Sequence, residues 1–209
     1  MKQVKMVVVL TIICAAAAAL LQAVAAYTAP IIAMEEKKFE LRSVSKAIQE
    51  TGQDPCRDSK PAYDNSPDED SVCVDGVKVY RGKKGDSFVG FAFESVGRNS
   101  YSGEINVLVA LSPEGSILGT EILRHSETPG LGSKIENCPW RKQFLDRKAG
   151  GFKWAVVKDG GEVDQISGAT ISSRSMIDAI TRAFEFFEGN KSRIIQGKPM
   201  KPGEVCNAR

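Results

Sequence analysis

The chain has 209 residues, of which 42% are hydrophobic and 26% charged, and its formal net charge at pH 7 is +2. This near-neutral charge, without a basic run interleaved with aromatics, gives no reason to expect nucleic acid as a partner. The single histidine, His125, argues against a zinc or copper site built on imidazole. No G-x-S-x-G sequence is present to partner His125 as a base, which argues against a Ser-His-Asp hydrolase. No C-x-x-C-H sequence occurs, which excludes covalently attached c-type haem.

The first predicted element is a transmembrane anchor at residues 6–28. Its apolar run is about as long as a helix needs to cross the hydrocarbon of a bilayer. Lys2 and Lys5 precede the run, and the next basic residue is Lys37, so the positive-inside rule places residues 1–5 in the cytoplasm. We therefore expect a single-pass protein of the cell inner membrane with its soluble domain on the periplasmic side. A cleaved signal peptide is the alternative, because Ala23-Val24-Ala25 resembles a cleavage site.

The sequence of residues 29–71 predicts a stalk helix followed by a polar loop. Residues 35–49 carry a partial apolar stripe with helical spacing. Residues 51–71 are rich in Gly, Pro, Asn, Ser and Asp, as is typical of a loop.

Four cysteines lie outside the predicted anchor: Cys56, Cys73, Cys138 and Cys206. An even number in an oxidising compartment predicts disulfides, and three pairings are possible. We favour Cys56 with Cys73, because that bond would close the polar loop.

Residues 72–190 predict an α+β domain with a mixed or antiparallel β-sheet and packed helices. Predicted strands cover residues 72–80, 87–96, 103–111, 116–123 and 152–157, and predicted helices cover residues 133–146 and 172–188. The second helix has an apolar stripe: Met176, Ile177, Ile180, Ala183, Phe184 and Phe187. Gly189 is its expected stop. Residues 191–209 form a C-terminal tail.

Residues 164–170, with the sequence D-Q-I-S-G-A-T, stand directly before the second helix. Gly168 allows a positive φ, and the first N–H groups after Thr170 have no partner inside a helix, so the turn can gather donors around an anion. A simple helix cap by Ser or Thr is the alternative for these residues alone.

A second segment, E-T-P-G-L-G, occupies residues 127–132. Its Pro and Gly residues predict a turn between a strand and a helix. Gly132 would also permit a close approach of the backbone to a neighbour.

The two segments, in this order and about forty residues apart, resemble the FMN-binding domain shared by two subunits. These are the G subunit of the Rnf electron-transport complex and the C subunit of the sodium-pumping NADH:quinone reductase. The resemblance implies FMN bound through a phosphoester to Thr170, with Ser167, Gly168 and Ala169 forming the turn around the phosphate. Further residues implied by it are Glu127, Thr128, Leu131 and Gly132 as flavin neighbours, and Asp164 as a residue read by the flavin transferase that loads FMN.

The function implied by the resemblance is electron relay within a membrane-bound, ion-translocating oxidoreductase complex of the Rnf type, linked to ferredoxin and NAD. Its partners would be the other membrane and peripheral subunits, and the chain alone would have no complete activity. The compact length favours the Rnf protein over its relative in the quinone reductase. A free-standing extracytoplasmic flavoprotein reductase or regulator is a further alternative. A flavin-free adhesion or scaffold domain would follow if S-G-A-T were only a helix cap.

Overall fold

A long helix begins the chain. The computed structural model describes residues 2–49, 56, 61–201, 204 and 206, and the chain divides into two units, Met1–Glu40 and Leu41–Arg209. Helix α1 spans Lys2–Ala47, so the helix predicted over residues 35–49 is present as far as Ala47. Within the described residues, α1 is the one helix long and apolar enough to cross a membrane, judged by length and composition.

The C-terminal unit is built on an antiparallel sheet. Its five strands, counted over the described residues, lie side by side in chain order: β1 Val72–Val74, β2 Val77–Lys84, β3 Ser87–Ser100, β4 Gly103–Leu111 and β5 Ile117–Arg124. The strand predicted over residues 72–80 is divided into β1 and β2 by a turn at Asp75 and Gly76, which both have a positive φ. The α+β class and the antiparallel sheet are as predicted.

The two faces of the sheet are covered by different helices. Helix α3, Thr170–Gln196, packs on one face, where β3 and β4 direct Phe93 and Val107 into the main core. Alternate residues of the same strands, including Ala92 and Leu108, point to the other face and meet Val44 near the end of α1.

Helix α3 is longer than predicted. Its apolar stripe is buried as expected, but the helix passes Gly189 and ends at Gln196. Ile194 lies two helical turns after Phe187 on the same apolar stripe, beyond the predicted end of the helix, and is fully buried. The buried Arg81 of β2 donates hydrogen bonds from Nη1 to the carbonyl oxygens of Ile194 (3.2 Å) and Gly197 (2.8 Å). These bonds satisfy carbonyls that would otherwise lack partners at the helix end.

The predicted helix at residues 133–146 is wrong. The chain there forms a 3-10 turn at Gly132–Glu136, the four-residue helix α2 at Cys138–Arg141 and a second 3-10 turn at Lys142–Phe144. Asn137 between the first two is extended, and Pro139 has no N–H to donate, so a continuous helix cannot pass this point.

The predicted strand at residues 152–157 is also wrong. Only an isolated bridge joins Val156 to Val163. Phe152 packs edge-on against Trp154, which in turn contacts Phe144 and Phe184. This aromatic packing and a 3-10 turn at Val157–Asp159 fix the segment as a compact loop.

The disulfide predicted between Cys56 and Cys73 is wrong. Cys56 pairs with Cys138, and Cys73 pairs with Cys206, each with 5.5 Å between Cα atoms. In β1, Val72 and Val74 point into the core, so the strand's alternation turns Cys73 outward, towards the C-terminal tail. Residues 51–55 and 57–60 of the predicted polar loop lie outside the described residues.

Candidate cofactor site

A cavity of about 600 Å³ lies at the N-terminal end of α3, within the usual range for small-molecule sites. Ten residues line it: Tyr101, Glu127, Thr128, Leu131, Gly132, Gly168, Ala169, Thr170, Ile171 and Ser172. The fold therefore brings the two sequence segments together at one site. All the residues predicted to bind the cofactor line the cavity except Ser167.

The start of α3 leaves donors open towards the cavity. The helix begins at Thr170, and the preceding Ala169 makes no side-chain capping hydrogen bond. The N–H groups of the first three residues, Thr170, Ile171 and Ser172, have no acceptor within the helix. Within the described part of the chain the Thr170 hydroxyl has no hydrogen-bond partner either. The simple helix-cap interpretation of Ser167 and Thr170 therefore fails.

The turn before the helix is fixed by Ser173. Its hydroxyl donates to the carbonyl of Ala169 (3.1 Å) and accepts the N–H of Ile166 (3.0 Å). Gly168 has φ +78°, which a residue with a side chain rarely adopts. A Cβ added to Gly168 would lie 3.5 Å from Cδ2 of Leu131, so the two segments are in contact.

Glu127 is the buried charged residue of the cavity wall, with 5% of its surface exposed. Its Oε2 accepts a hydrogen bond from the Ser172 hydroxyl, and its Oε1 accepts the N–H of Ser102 at 3.1 Å. Burial acts to raise the pKa of Glu127, but hydrogen bonds led by that from Ser172 outweigh it and hold the pKa below its ordinary value. The carboxylate is therefore negatively charged at neutral pH.

The side chain of His125 accepts a hydrogen bond from the backbone of Glu127. The N–H of Glu127 donates to His125 Nδ1 at 3.0 Å, and His125 Nε2 lies 2.9 Å from Oε1 of Glu136. Because Nδ1 accepts, the proton of a neutral ring lies on Nε2 and is donated to Glu136. The histidine thus has a positioning contact and does not line the cavity.

The rim of the cavity is apolar. Tyr101, Leu131 and Ile171 are 73%, 48% and 43% exposed, although large apolar side chains usually avoid water. None of the described lining residues is Lys or Arg. The arrangement suits a planar, largely apolar group with one anionic end at the helix N-terminus.

Sequence reasoning missed Tyr101, Ile171 and Ser172 as lining residues. Ile171 and Ser172 follow the S-G-A-T sequence directly and could have been included from their place in the first helical turn. Tyr101 stands in the turn between β3 and β4, far from both motifs in the chain, and only strand pairing brings it to the cavity.

Asp164 lies outside the cavity lining and is exposed. Its backbone N–H donates to Gln143 Oε1 at 2.7 Å, and its carbonyl accepts the indole N–H of Trp140 at 2.7 Å. Its carboxylate has no partner among the described residues. The backbone is thus fixed while the side chain is presented to solvent.

Comparison with known proteins identifies the domain. A family model described as the FMN-binding domain matches residues 100–185. A relative from Cereibacter sphaeroides, the G subunit of an ion-translocating oxidoreductase complex, is 36% identical over 149 residues, covering 66% of this chain and 68% of the relative. The protein of the same name from Escherichia coli is 42% identical over 111 residues, covering 51% and 54%.

Two further matches cover less of each chain than the Cereibacter match does. The Haemophilus influenzae protein of that name is 38% identical, covering 57% of this chain and 60% of its own length, and this chain spans about three fifths of the first such curated relatives. The crystal structure of Shewanella oneidensis NqrC is 25% identical with a TM-score of 0.46, covering 56% of this chain and 61% of that one. From the extent of the Cereibacter match and the FMN-binding domain, this chain belongs to the family of G subunits of ion-translocating oxidoreductase complexes.

Proposed function

We propose that this chain carries electrons through FMN in a membrane-bound, ion-translocating oxidoreductase complex of the Rnf type, and that the FMN is attached by a phosphoester to Thr170. One observation carries the proposal. The Thr170 hydroxyl, which has no partner in the described part of the chain, stands at an uncapped helix start that opens on the cavity. Ferredoxin- and NAD-linked electron transfer by the whole complex is part of this proposal.

The residues around Thr170 fit a phosphate. Three open N–H groups of α3 point out of its N-terminus, and the helix dipole favours an anion there by about 0.3–1 kcal/mol when exposed and up to about 2 kcal/mol when partly buried. Gly168 keeps the turn free of a side chain where the backbone must come close. Because no described lining residue is basic, this attraction alone is modest, and an ester at Thr170 would retain the cofactor.

The remaining lining residues fit the ring of a flavin. Bound FMN supplies one- and two-electron redox chemistry that amino-acid side chains lack. Leu131, Ile171 and Tyr101 offer exposed apolar surface that a planar ring would cover. Glu127 places a negative charge in the wall. The chain thus positions the cofactor and supplies its electrostatic surroundings.

We further propose that the domain faces the periplasm on a single uncleaved anchor. Membrane association follows from the apolar part of α1 and the family. Lys2 and Lys5 before the apolar run support a cytoplasmic N-terminus. The Cys56–Cys138 and Cys73–Cys206 disulfides support an oxidising compartment for the rest.

The proposed partners are the other membrane and peripheral subunits of the complex, together with a flavin transferase that reads the exposed Asp164. Co-purification with several integral membrane proteins would support this assignment. A self-contained activity of the isolated chain towards a soluble acceptor would instead support a free-standing flavoprotein.

The test of covalent attachment is the Thr170→Ala variant, produced with its transferase and purified from membranes. We expect the wild-type band to fluoresce as a flavin on a denaturing gel and to show the added mass of one FMN residue. Thr170→Ala should lose both signals and keep its fold, because the change removes an unpartnered hydroxyl. Thr170→Ser retains a hydroxyl that can be esterified and is the matched control. A fluorescent band in the alanine variant would rule out Thr170 as the attachment residue.

A further inference from the structure

We infer that Glu127 is a positioning residue that fastens the turn between β3 and β4 to the first turn of α3, and that its fixed negative charge lowers the reduction potential of the bound flavin. The inference about potential rests on the proposed FMN site. The hydrogen bonds by which Glu127 holds the turn do not depend on FMN, and they are tested without it.

Both oxygens of the Glu127 side chain are already engaged by the protein. Oε2 accepts the hydroxyl of Ser172, 45 residues later in the chain, and Oε1 accepts the N–H of Ser102, 25 residues earlier. A side chain that is 95% buried and hydrogen-bonded on both oxygens is poorly placed to act as a free ligand for a cofactor. Its contacts instead join two walls of the cavity.

The turn that Glu127 holds carries Tyr101, the most exposed of the three apolar rim residues. Oε1 of Glu127 is the one side-chain acceptor of the Ser102 N–H among the described residues. Glu127 therefore ties the turn that carries Tyr101 to the start of α3, in addition to the pairing of Ser100 with Gly103 that closes the turn. This is a role in positioning, since Glu127 need not touch the reacting atoms.

The charge of Glu127 acts on the same site. The carboxylate is the single charged side chain among the described lining residues. The backbone N–H of Glu127 donates to Nδ1 of His125, and Nε2 of that ring lies 2.9 Å from Oε1 of Glu136. A negative charge in a poorly hydrated wall disfavours the addition of electrons to a nearby group. Removal of this charge should make the flavin easier to reduce.

Two substitutions of Glu127 separate the effect of its charge from the effect of its hydrogen bonds. Glu127→Gln removes the charge but keeps an oxygen and an amide that can bond Ser102 and Ser172, whereas Glu127→Ala removes both. Glu185→Gln makes the same charge change at an exposed position of α3 outside the cavity and is the control. The full-length chain in detergent is used throughout.

The first measurement is amide hydrogen exchange, monitored by mass spectrometry, in chains produced without flavin transferase. The peptide containing Ser102 should exchange at least tenfold faster in Glu127→Ala than in wild type, and near the wild-type rate in Glu127→Gln. Equal rates in Glu127→Ala and wild type would overturn the fastening role. This measurement needs no flavin.

The second measurement is the midpoint potential of the flavin in loaded chains. Glu127→Gln should move it to a more positive value than Glu185→Gln, without loss of covalent flavin. Identical potentials in these two variants would overturn the electrostatic role. A wild-type chain that takes up no flavin would overturn the proposed function and this role together, while the exchange experiment would still decide whether Glu127 fastens the turn.

Discussion

A Cβ atom on Gly132 would lie 2.0 Å from Oε2 of Glu127 and 2.7 Å from the hydroxyl oxygen of Ser172. Any side chain at position 132 must therefore displace the carboxylate from its partner. The sequence predicted a close backbone approach at Gly132, and the structure shows that the neighbour is a buried acidic side chain. Gly132 is thus required by the hydrogen bond between Glu127 and Ser172.

Gly132→Ala and Gly132→Val should both disturb the cavity through Glu127. We expect a loss of about 1–3 kcal/mol in the free energy of unfolding, because the added atoms overlap buried groups. The ester at Thr170 should survive while the flavin absorption and midpoint potential shift. Gly150→Ala is the control, since a Cβ there meets nothing within 4 Å. An unchanged spectrum, potential and turnover in fully loaded Gly132→Val would mean that residues 127–132 only connect two elements.

Asp164→Asn should impair loading and leave the fold intact. The carboxylate is solvent-exposed and unpartnered among the described residues, while Gln143 and Trp140 bond to the backbone of residue 164 and would still do so. We expect the fraction of chains carrying covalent flavin to fall several-fold, with a normal midpoint potential in those that are loaded. Asp86→Asn, at an exposed site on the turn between β2 and β3, is the control. Full loading of Asp164→Asn at limiting transferase would remove Asp164 from the recognition sequence.

Arg81→Met should destabilise the domain without changing the flavin site. The guanidinium of Arg81, which is 2% exposed, pairs with Asp70 and bonds the carbonyls at the end of α3. Removal of one partner of a buried ion pair typically costs about 3–5 kcal/mol. Arg193→Met breaks a surface pair with Asp75 and should cost about 0–1 kcal/mol. Similar urea midpoints for these two variants would contradict the structural role of Arg81.

Glu127 should make stability dependent on pH in acid. Its pKa in the folded domain is below the unfolded value of 4.5, so its ionised form stabilises the fold above about pH 4.5, and this contribution is lost as pH falls through the lower folded pKa. The difference in unfolding free energy between wild type and Glu127→Gln should therefore be constant near neutral pH and shrink below about pH 4.5. Urea titrations at a series of pH values measure it. A difference that grows in acid would show that the sign of the pKa shift is wrong.

The proposed topology predicts that protease added to spheroplasts removes the C-terminal domain and leaves a membrane-bound stub. The N-terminus should still begin near Met1. A mature chain that starts near Ala26 would mean that the segment is a cleaved signal. Protection of the domain until the cells are lysed would mean that it faces the cytoplasm, and a cytoplasmic marker protein checks that the inner membrane is sealed.

The sequence predicted best where one local pattern decides the outcome. The stripe from Met176 to Phe187 is buried as predicted, since helical periodicity needs no knowledge of the partner. The bounds of β4 also match, because Gly103 and Ser112-Pro113 delimit it. Contacts between residues far apart in the chain could not be predicted from the sequence. Glu127 is hydrogen-bonded to Ser172, and no local sequence pattern predicts a hydrogen bond between residues 45 positions apart.

The disulfide between Cys73 and Cys206 closes a covalent ring around residues 74–205, which contain the sheet from β2 onwards, both motifs and all of α3. A single cut in any peptide bond of this ring opens it without separating the two pieces. Thr170 would remain linked to the strands that form the other wall of its cavity after such a nick. Cleavage within residues 74–205 would therefore go unseen on a gel until a thiol reductant is added, and any FMN attached to Thr170 would stay on the same molecule as both walls of the cavity.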